Sequence, residues 1–188
     1  MNTKLRPLTI NDLNVMATED GSRYEIIEGE LFVSYSPGLT HEKVFNNLIT
    51  LFVVFSQDNP ICEYKPMLPL VFSEHSAVIP DLSIFLNEQS ETINKDDGAV
   101  SPALICEVVE DGLANTGRDC GTKLKLYSKH GVPEYWLVYP KTMTIDQWVK
   151  RGDSLIRLET VGLNDTLTSE MVPGFSCLVS EIFSGIGK

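Results

Sequence analysis

The stretch Ala103-Leu104-Ile105-Cys106-Glu107-Val108-Val109 decides how this chain of 188 residues is read. An unbroken apolar run, rather than an alternation of apolar and polar residues, predicts a central strand covered on both faces. Glu107 sits inside that run. Burying its carboxylate costs on the order of several kcal/mol unless it is paired or bound to a metal, so the residue demands a partner.

Working outward, Glu110 to Arg118 is a polar loop with two glycines, and Asp119 to His130 is a helix closed by Gly131 and Pro133. Tyr135–Tyr139 predicts another buried strand. Met143–Lys150 and Ser154–Thr160 predict a late hairpin around Arg151-Gly152-Asp153. Val172-Pro173-Gly174-Phe175 leads into a last short helix near Ser180–Phe183. Upstream, Pro60, Pro66, Pro69 and Pro80 punctuate short strands at Ile61–Lys65, Leu68–Phe72 and Leu82–Leu86, and Asn87 to Gly98 reads as an acidic loop. Val44, Leu48, Leu51, Phe52 and Phe55 recur at helical spacing and predict a helix over 40–57. Two β-rich runs around Glu28-Gly29, Tyr24–Ile27 and Glu30–Tyr35, predict a hairpin ended by Ser36-Pro37-Gly38. Thr9-x-x-Asp12 before Leu13 and Met16 carries a capping-box signal for a short first helix. There is no internal repeat. The expectation is one mixed α/β domain over residues 1–188.

Composition narrows the function. Hydrophobic residues at 43% and charged residues at 22% match globular usage and exclude disordered and collagen-like chains. No apolar run approaches the roughly 20 residues of a membrane span, and Met1 to Pro7 lacks an apolar signal core, so a soluble, cytoplasmic protein is expected, with no membrane partner. The formal net charge of −11 argues against non-specific nucleic-acid binding but does not exclude it, because a local basic stripe or a metal-rich cleft can override the global sign. Cys62, Cys106, Cys120 and Cys177 are scattered, with neither a C-x-x-C pair nor a histidine cluster, which argues against zinc. Gly-x-Gly-x-x-Gly, Gly-x-Ser-x-Gly and His-Glu-x-x-His are all absent.

What remains is a set of carboxylates in costly places. Asp81 follows Pro80 at the mouth of a strand, Glu107 interrupts a buried one, and Lys123 lies on the next helix, one turn before Tyr127. Two acids at strand positions plus one ammonium is the chemistry of a divalent-metal phosphodiesterase: carboxylates hold Mg²⁺, and a lysine positions the attacking water. On spacing alone, a structural ion pair of Glu107 with Lys123 or Arg118 is an equal alternative. Glu30 reads as a solvent-facing hairpin residue and His41, at a helix start, as a surface residue.

Taken in order, these residues resemble the PD-(D/E)XK nuclease superfamily, and within it the Uma-type restriction endonucleases. The matching segments are Tyr24-Glu25-Ile26-Ile27-Glu28-Gly29-Glu30-Leu31, Ser36-Pro37 with His41, Pro80-Asp81-Leu82, Cys106-Glu107-Val108 and Asp119-x-x-x-Lys123-x-x-x-Tyr127. Gly131-Val132-Pro133-Glu134-Tyr135-Trp136-Leu137-Val138 and Pro173-Gly174-Phe175-Ser176 complete the set, from about residue 8 to 183. The resemblance implies a restriction-endonuclease-like α/β fold, a central mixed sheet flanked by helices. It implies Mg²⁺ or Mn²⁺ held by Asp81, Glu107 and Val108, a catalytic Lys123, and Glu30 as an auxiliary acid. The superfamily's usual lysine two residues after the Glu is Val109 here, so that role falls to Lys123. The family's Ser-Pro-Ser-like loop is replaced by Glu110-Asp111-Gly112-Leu113, which adds negative charge. The expected function is metal-dependent hydrolysis of DNA, with a homodimer as one assembly. The alternative is a catalytically silent nuclease-fold module that binds or regulates.

Overall fold

Leu104–Val108 forms a strand buried along its whole length, as its unbroken apolar run predicts. The computed structural model describes residues 6–13, 15–16, 22–35, 37–87, 101–110 and 117–187. The expected acidic loop beyond Asn87, and most of the loop after Glu110, lie outside the described residues.

In chain order the elements begin α1 (Ile10–Leu13), β1 (Arg23–Ile27), β2 (Glu30–Ser34), α2 (Leu39–Asp58), β3 (Cys62–Pro66), β4 (Leu70–Ser73), β5 (Ser76–Val78), β6 (Leu82–Leu86) and β7 (Leu104–Val108). A π-helical segment (Arg118–Lys123) then runs into α3 (Leu124–Lys129). The chain finishes with β8 (Glu134–Tyr139), β9 (Thr144–Arg151), β10 (Ser154–Gly162), β11 (Thr166–Thr168), β12 (Ser176–Leu178) and α4 (Val179–Ile182). These elements form two compact units, Met1–Ser36 with Pro69–Ile79, and Pro37–Leu68 with Pro80–Lys188.

The first unit carries an antiparallel sheet of order β2-β1-β5-β4. Its β1–β2 hairpin closes through the two residues Glu28 and Gly29, with Ile27 opposite Glu30. Both turn residues have positive φ, 51° and 80°, the requirement of the mirror-image turn that matches strand twist. Only glycine fits at position 29, because an added Cβ would lie 2.6 Å from the Pro7 Cβ.

The second unit holds a six-stranded sheet of order β10-β9-β8-β7-β6-β3. Every pairing in it is antiparallel except β7 with β8. That parallel step needs a crossover, which the π-helical segment and α3 supply. On one face, Val44, Leu48 and Phe52 of α2 pack over Cys106, Val108, Trp136 and Val138, and Phe175 stacks on Phe52 at 4.2 Å between ring centroids. On the other, Tyr127 of α3 meets Tyr135 edge-on at 4.9 Å.

The expected single helix over 119–130 is two segments. Its first turns widen into a π-helix so that Asp119 and Lys123 both face inward and are buried. The end of α3 follows the sequence signal. Gly131 has φ 80°, the Val132 N–H bonds Tyr127 O at 3.0 Å, and the Gly131 N–H bonds Ser128 O, the Schellman closure that anchors Tyr127. Among the described residues no helix is long and apolar enough to cross a membrane.

Candidate active site

The site grows from the register of two strands. Leu82 of β6 pairs with Cys106 of β7, so the next residues outward, Asp81 and Glu107, stand side by side at the strand ends. Both are buried, each 3% exposed. Glu107 Oε2 lies 3.4 Å from the Asp81 backbone N–H, which donates to it. Strand geometry positions the return contact. Val109 gives its N–H to Val138 O of β8, so Val108 turns its own N–H and C=O to the opposite side. There the Val108 N–H donates to Asp81 Oδ2 at 2.9 Å.

Lys123 supplies the ammonium. Its Nζ donates to Glu107 Oε1 at 2.8 Å, and the Tyr127 hydroxyl donates to the same oxygen at 3.1 Å. The four-residue spacing of Lys123 and Tyr127 puts both on the helix face turned to β7. Asp119, one further turn back, comes to 3.9 Å from Lys123 Nζ and is gripped by Arg118 Nε at 2.8 Å. Tyr135 of β8 closes this side by donating its hydroxyl to Asp119 O at 3.1 Å. Burial, reinforced by the negative charges of Glu107 and Asp119, pushes the Tyr135 phenol well above its ordinary value, so it remains a donor.

His41 enters from the other layer. It occupies the third position of α2 and its Nε2 lies 3.0 Å from Asp81 Oδ2. Against an ionised Asp81 carboxylate, which only accepts, the imidazole donates from Nε2–H. The start of α2 is also tied to the end of β7, where the Gly38 N–H donates to Glu110 Oε1 at 2.9 Å. A cavity of about 730 Å³ opens here, lined by Gly38, Thr40, His41, Val109, Glu110 and Lys141 among others.

The structure thus brings Asp81, Glu107, Val108 and Lys123 together. Glu30 is exposed at the first position of β2 in the first unit. Three further residues belong to the network: His41, read from the sequence as a surface residue; Asp119, quoted there without a role; and Arg118, weighed there as a partner of Glu107 but paired here with Asp119. His41 carried a readable signal, since it continues the buried stripe Val44, Leu48, Phe52 by one step toward the helix start. Asp119 carried one too, at the same four-residue spacing as Lys123 and Tyr127.

The donor set suits a hard divalent cation. It offers two carboxylates and a main-chain carbonyl, oxygen donors of the kind such a cation takes, while Cys106 packs into the core with Val44, Leu48 and Phe52. The network sets three carboxylates against the cations of Lys123 and Arg118. Among the described residues no three His, Cys, Asp or Glu side chains converge as a complete ligand set.

Comparison with known proteins gives this arrangement a context. Residues 10–180 match the family Uma2, described as "Putative restriction endonuclease". No curated protein matches the chain. Among solved structures, a putative nuclease belonging to DUF820 from Anabaena variabilis is similar with a TM-score of 0.71 at 18% identity, over 95% of this chain and 98% of that one. The type IIG restriction endonuclease BpuSI is similar with a TM-score of 0.41 at 15% identity, over 80% of this chain and 16% of that one. The fold is of the restriction-endonuclease type, a central mixed sheet flanked by helices.

Proposed function

Because this chain belongs to the Uma2 family of "Putative restriction endonuclease" proteins, we propose that it hydrolyses DNA phosphodiester bonds with Mg²⁺ or Mn²⁺. The observation that carries the reading is the register that sets Asp81 beside Glu107, with Lys123 at 2.8 Å from Glu107. Asp81, Glu107 and the Val108 carbonyl would hold the cation, which when bound polarises the scissile phosphate and acidifies a water. Lys123 keeps a positive charge beside the phosphate as negative charge builds there, or orients the attacking water. Tyr127 holds the Glu107 carboxylate that takes the ammonium, and Asp119 lies 3.9 Å from the ammonium itself, so the group is placed before substrate arrives. Glu30 as an auxiliary acid rests on the family resemblance alone, and Glu30→Gln tests it.

The net charge of −11 does not oppose a DNA substrate, because the charge is unevenly spread. Between Arg118 and Arg157 stand eight of the 15 Lys and Arg residues and only four of the 26 acids. Lys125 and Lys129 of that segment are exposed on α3. Local basic character of this kind is what a phosphate backbone meets. The family match runs through both compact units, which supports treating residues 1–188 as one functional domain. All four cysteines are free, consistent with a reducing cytoplasm. A homodimer would supply one site for each strand of a duplex, and light scattering tests it.

One observation favours the silent-module reading. Glu107 Oε1 is already satisfied by Lys123 and Tyr127, a buried ion pair that can stand as a purely structural element. Incubating purified protein with supercoiled plasmid and Mg²⁺ or Mn²⁺, with and without EDTA, separates the two. Metal-dependent nicking supports the nuclease; no cleavage of varied DNA substrates favours the silent module.

A further inference from the structure

The buried helix stripe of α2 ends in a residue that packing alone does not explain. Val44, Leu48 and Phe52 are apolar and buried against the sheet, and one step before them the same stripe carries His41, 7% exposed. An imidazole at an inward position has to be hydrogen-bonded to be tolerated. Its bond goes to Asp81 Oδ2, 40 residues away along the chain, at 3.0 Å. That same oxygen accepts the Val108 N–H at 2.9 Å. Two donors from two different layers, one a main-chain group of β7 and one a side chain of α2, therefore converge on one carboxylate oxygen. Together they hold that oxygen from two directions and orient the carboxylate. The helix that carries His41 is itself anchored at its start through the Gly38 N–H on Glu110, two residues beyond Val108.

We infer that His41 is a positioning residue, which locks the Asp81 carboxylate in the orientation that receives the divalent cation. The inference rests on the proposal that Asp81 is a ligand, and it deepens that proposal by assigning the outer contact that orients the ligand. Carboxylate ligands held by such outer contacts typically lose about 10- to 100-fold in metal affinity when the contact is removed. The Nε2–H is the group that matters. A side chain that fills the same space without a donor should fail, and one that offers an N–H at the same reach should succeed.

The test compares full-length wild type, His41→Phe, His41→Gln and Asp81→Asn, with two readouts taken without DNA. Calorimetric titration with Mn²⁺ reads the ligand site, and hydrogen exchange of the Val108 amide reads the carboxylate in the metal-free protein. His41→Phe keeps an aromatic ring beside Phe45 but should weaken Mn²⁺ binding about tenfold or more and speed exchange at Val108. His41→Gln should restore most of both, which a role in packing alone would not do. Adding His41→Phe to Asp81→Asn should change Mn²⁺ binding no further. Full Mn²⁺ affinity and unchanged Val108 exchange in His41→Phe, while Asp81→Asn loses the ion, would overturn the inference and leave the nuclease reading standing. A wild type that binds no Mn²⁺ would overturn the metal reading, and the inference with it.

Discussion

Replacing Lys123 with alanine leaves the Glu107 carboxylate buried with its Tyr127 bond but without its cation. The ammonium is 1% exposed and the carboxylate 4%, so water does not take over the lost contact. Removing one partner of a buried ion pair costs about 3–5 kcal/mol, far above the 0–1 kcal/mol of a surface pair. Asp119, 3.9 Å from the same ammonium, keeps Arg118 and adds little to the loss. With a urea slope of about 2–3 kcal/mol per molar for a unit of this size, the midpoint should fall by roughly 1–2 M. Trp136 and Trp148 both lie in the second unit, so tryptophan fluorescence reads the relevant transition. Lys123→Met combined with Glu107→Gln replaces the pair by neutral groups and should recover most of the loss. A midpoint drop corresponding to less than about 1 kcal/mol in Lys123→Ala would show that the pair is hydrated in solution and refute the reasoning. Activity of this variant must therefore be read where it is still folded. There we expect a fall of about a hundredfold or more in DNA cleavage, with little rescue by Lys123→Arg, whose planar fork does not replace a compact ammonium.

Gly29→Ala should destabilise the first unit by about 1–3 kcal/mol, since it forces positive φ on a residue whose Cβ meets Pro7; faster limited proteolysis within residues 6–35 would report it. Burial raises the Glu134 carboxyl above its ordinary 4.5, against the opposing bonds from Ser169, Met171 and Trp136. Above 4.5 the folded state then holds the proton more tightly than the unfolded one, so this contribution to stability declines as pH rises through the raised value. Urea midpoints of wild type and Glu134→Gln across that window should diverge accordingly, and parallel curves would refute it. Burial pushes the Cys177 thiol up to about 12 and the Cys106 thiol well above its usual range, so neither should react with iodoacetamide at pH 8 until the protein is unfolded, as mass spectrometry of labelled peptides can check.

Much of this arrangement was legible in the residues, and the parts that were not share a cause. The continuous apolar run around Glu107 announced a strand covered on both faces, and it is one. The stripe Val44, Leu48, Phe52 announced α2 to within one residue at each end. The spacing of Lys123 and Tyr127 put them on one face, which the bonds to Glu107 bear out. Missed were β5, β11 and β12, each three residues long, too short for alternation to register. The π-helical turn was also missed, because only tertiary demand, the inward pull on both Asp119 and Lys123, widens a helix whose local sequence reads as ordinary. His41 was assigned to the surface from its place at a helix start, when its place on the stripe pointed inward. Side-chain partnerships between distant segments, such as His41 with Asp81, have no local trace at all.

We propose that Asp81, Glu107 and Lys123 form a working phosphodiesterase site. Its most direct test is nicking of supercoiled plasmid by wild type and Asp81→Asn, purified in parallel and matched for thermal melting, in Mn²⁺ and in EDTA. Wild type should cleave in Mn²⁺ and not in EDTA, and Asp81→Asn should not cleave. Cleavage by Asp81→Asn at the wild-type rate would contradict it.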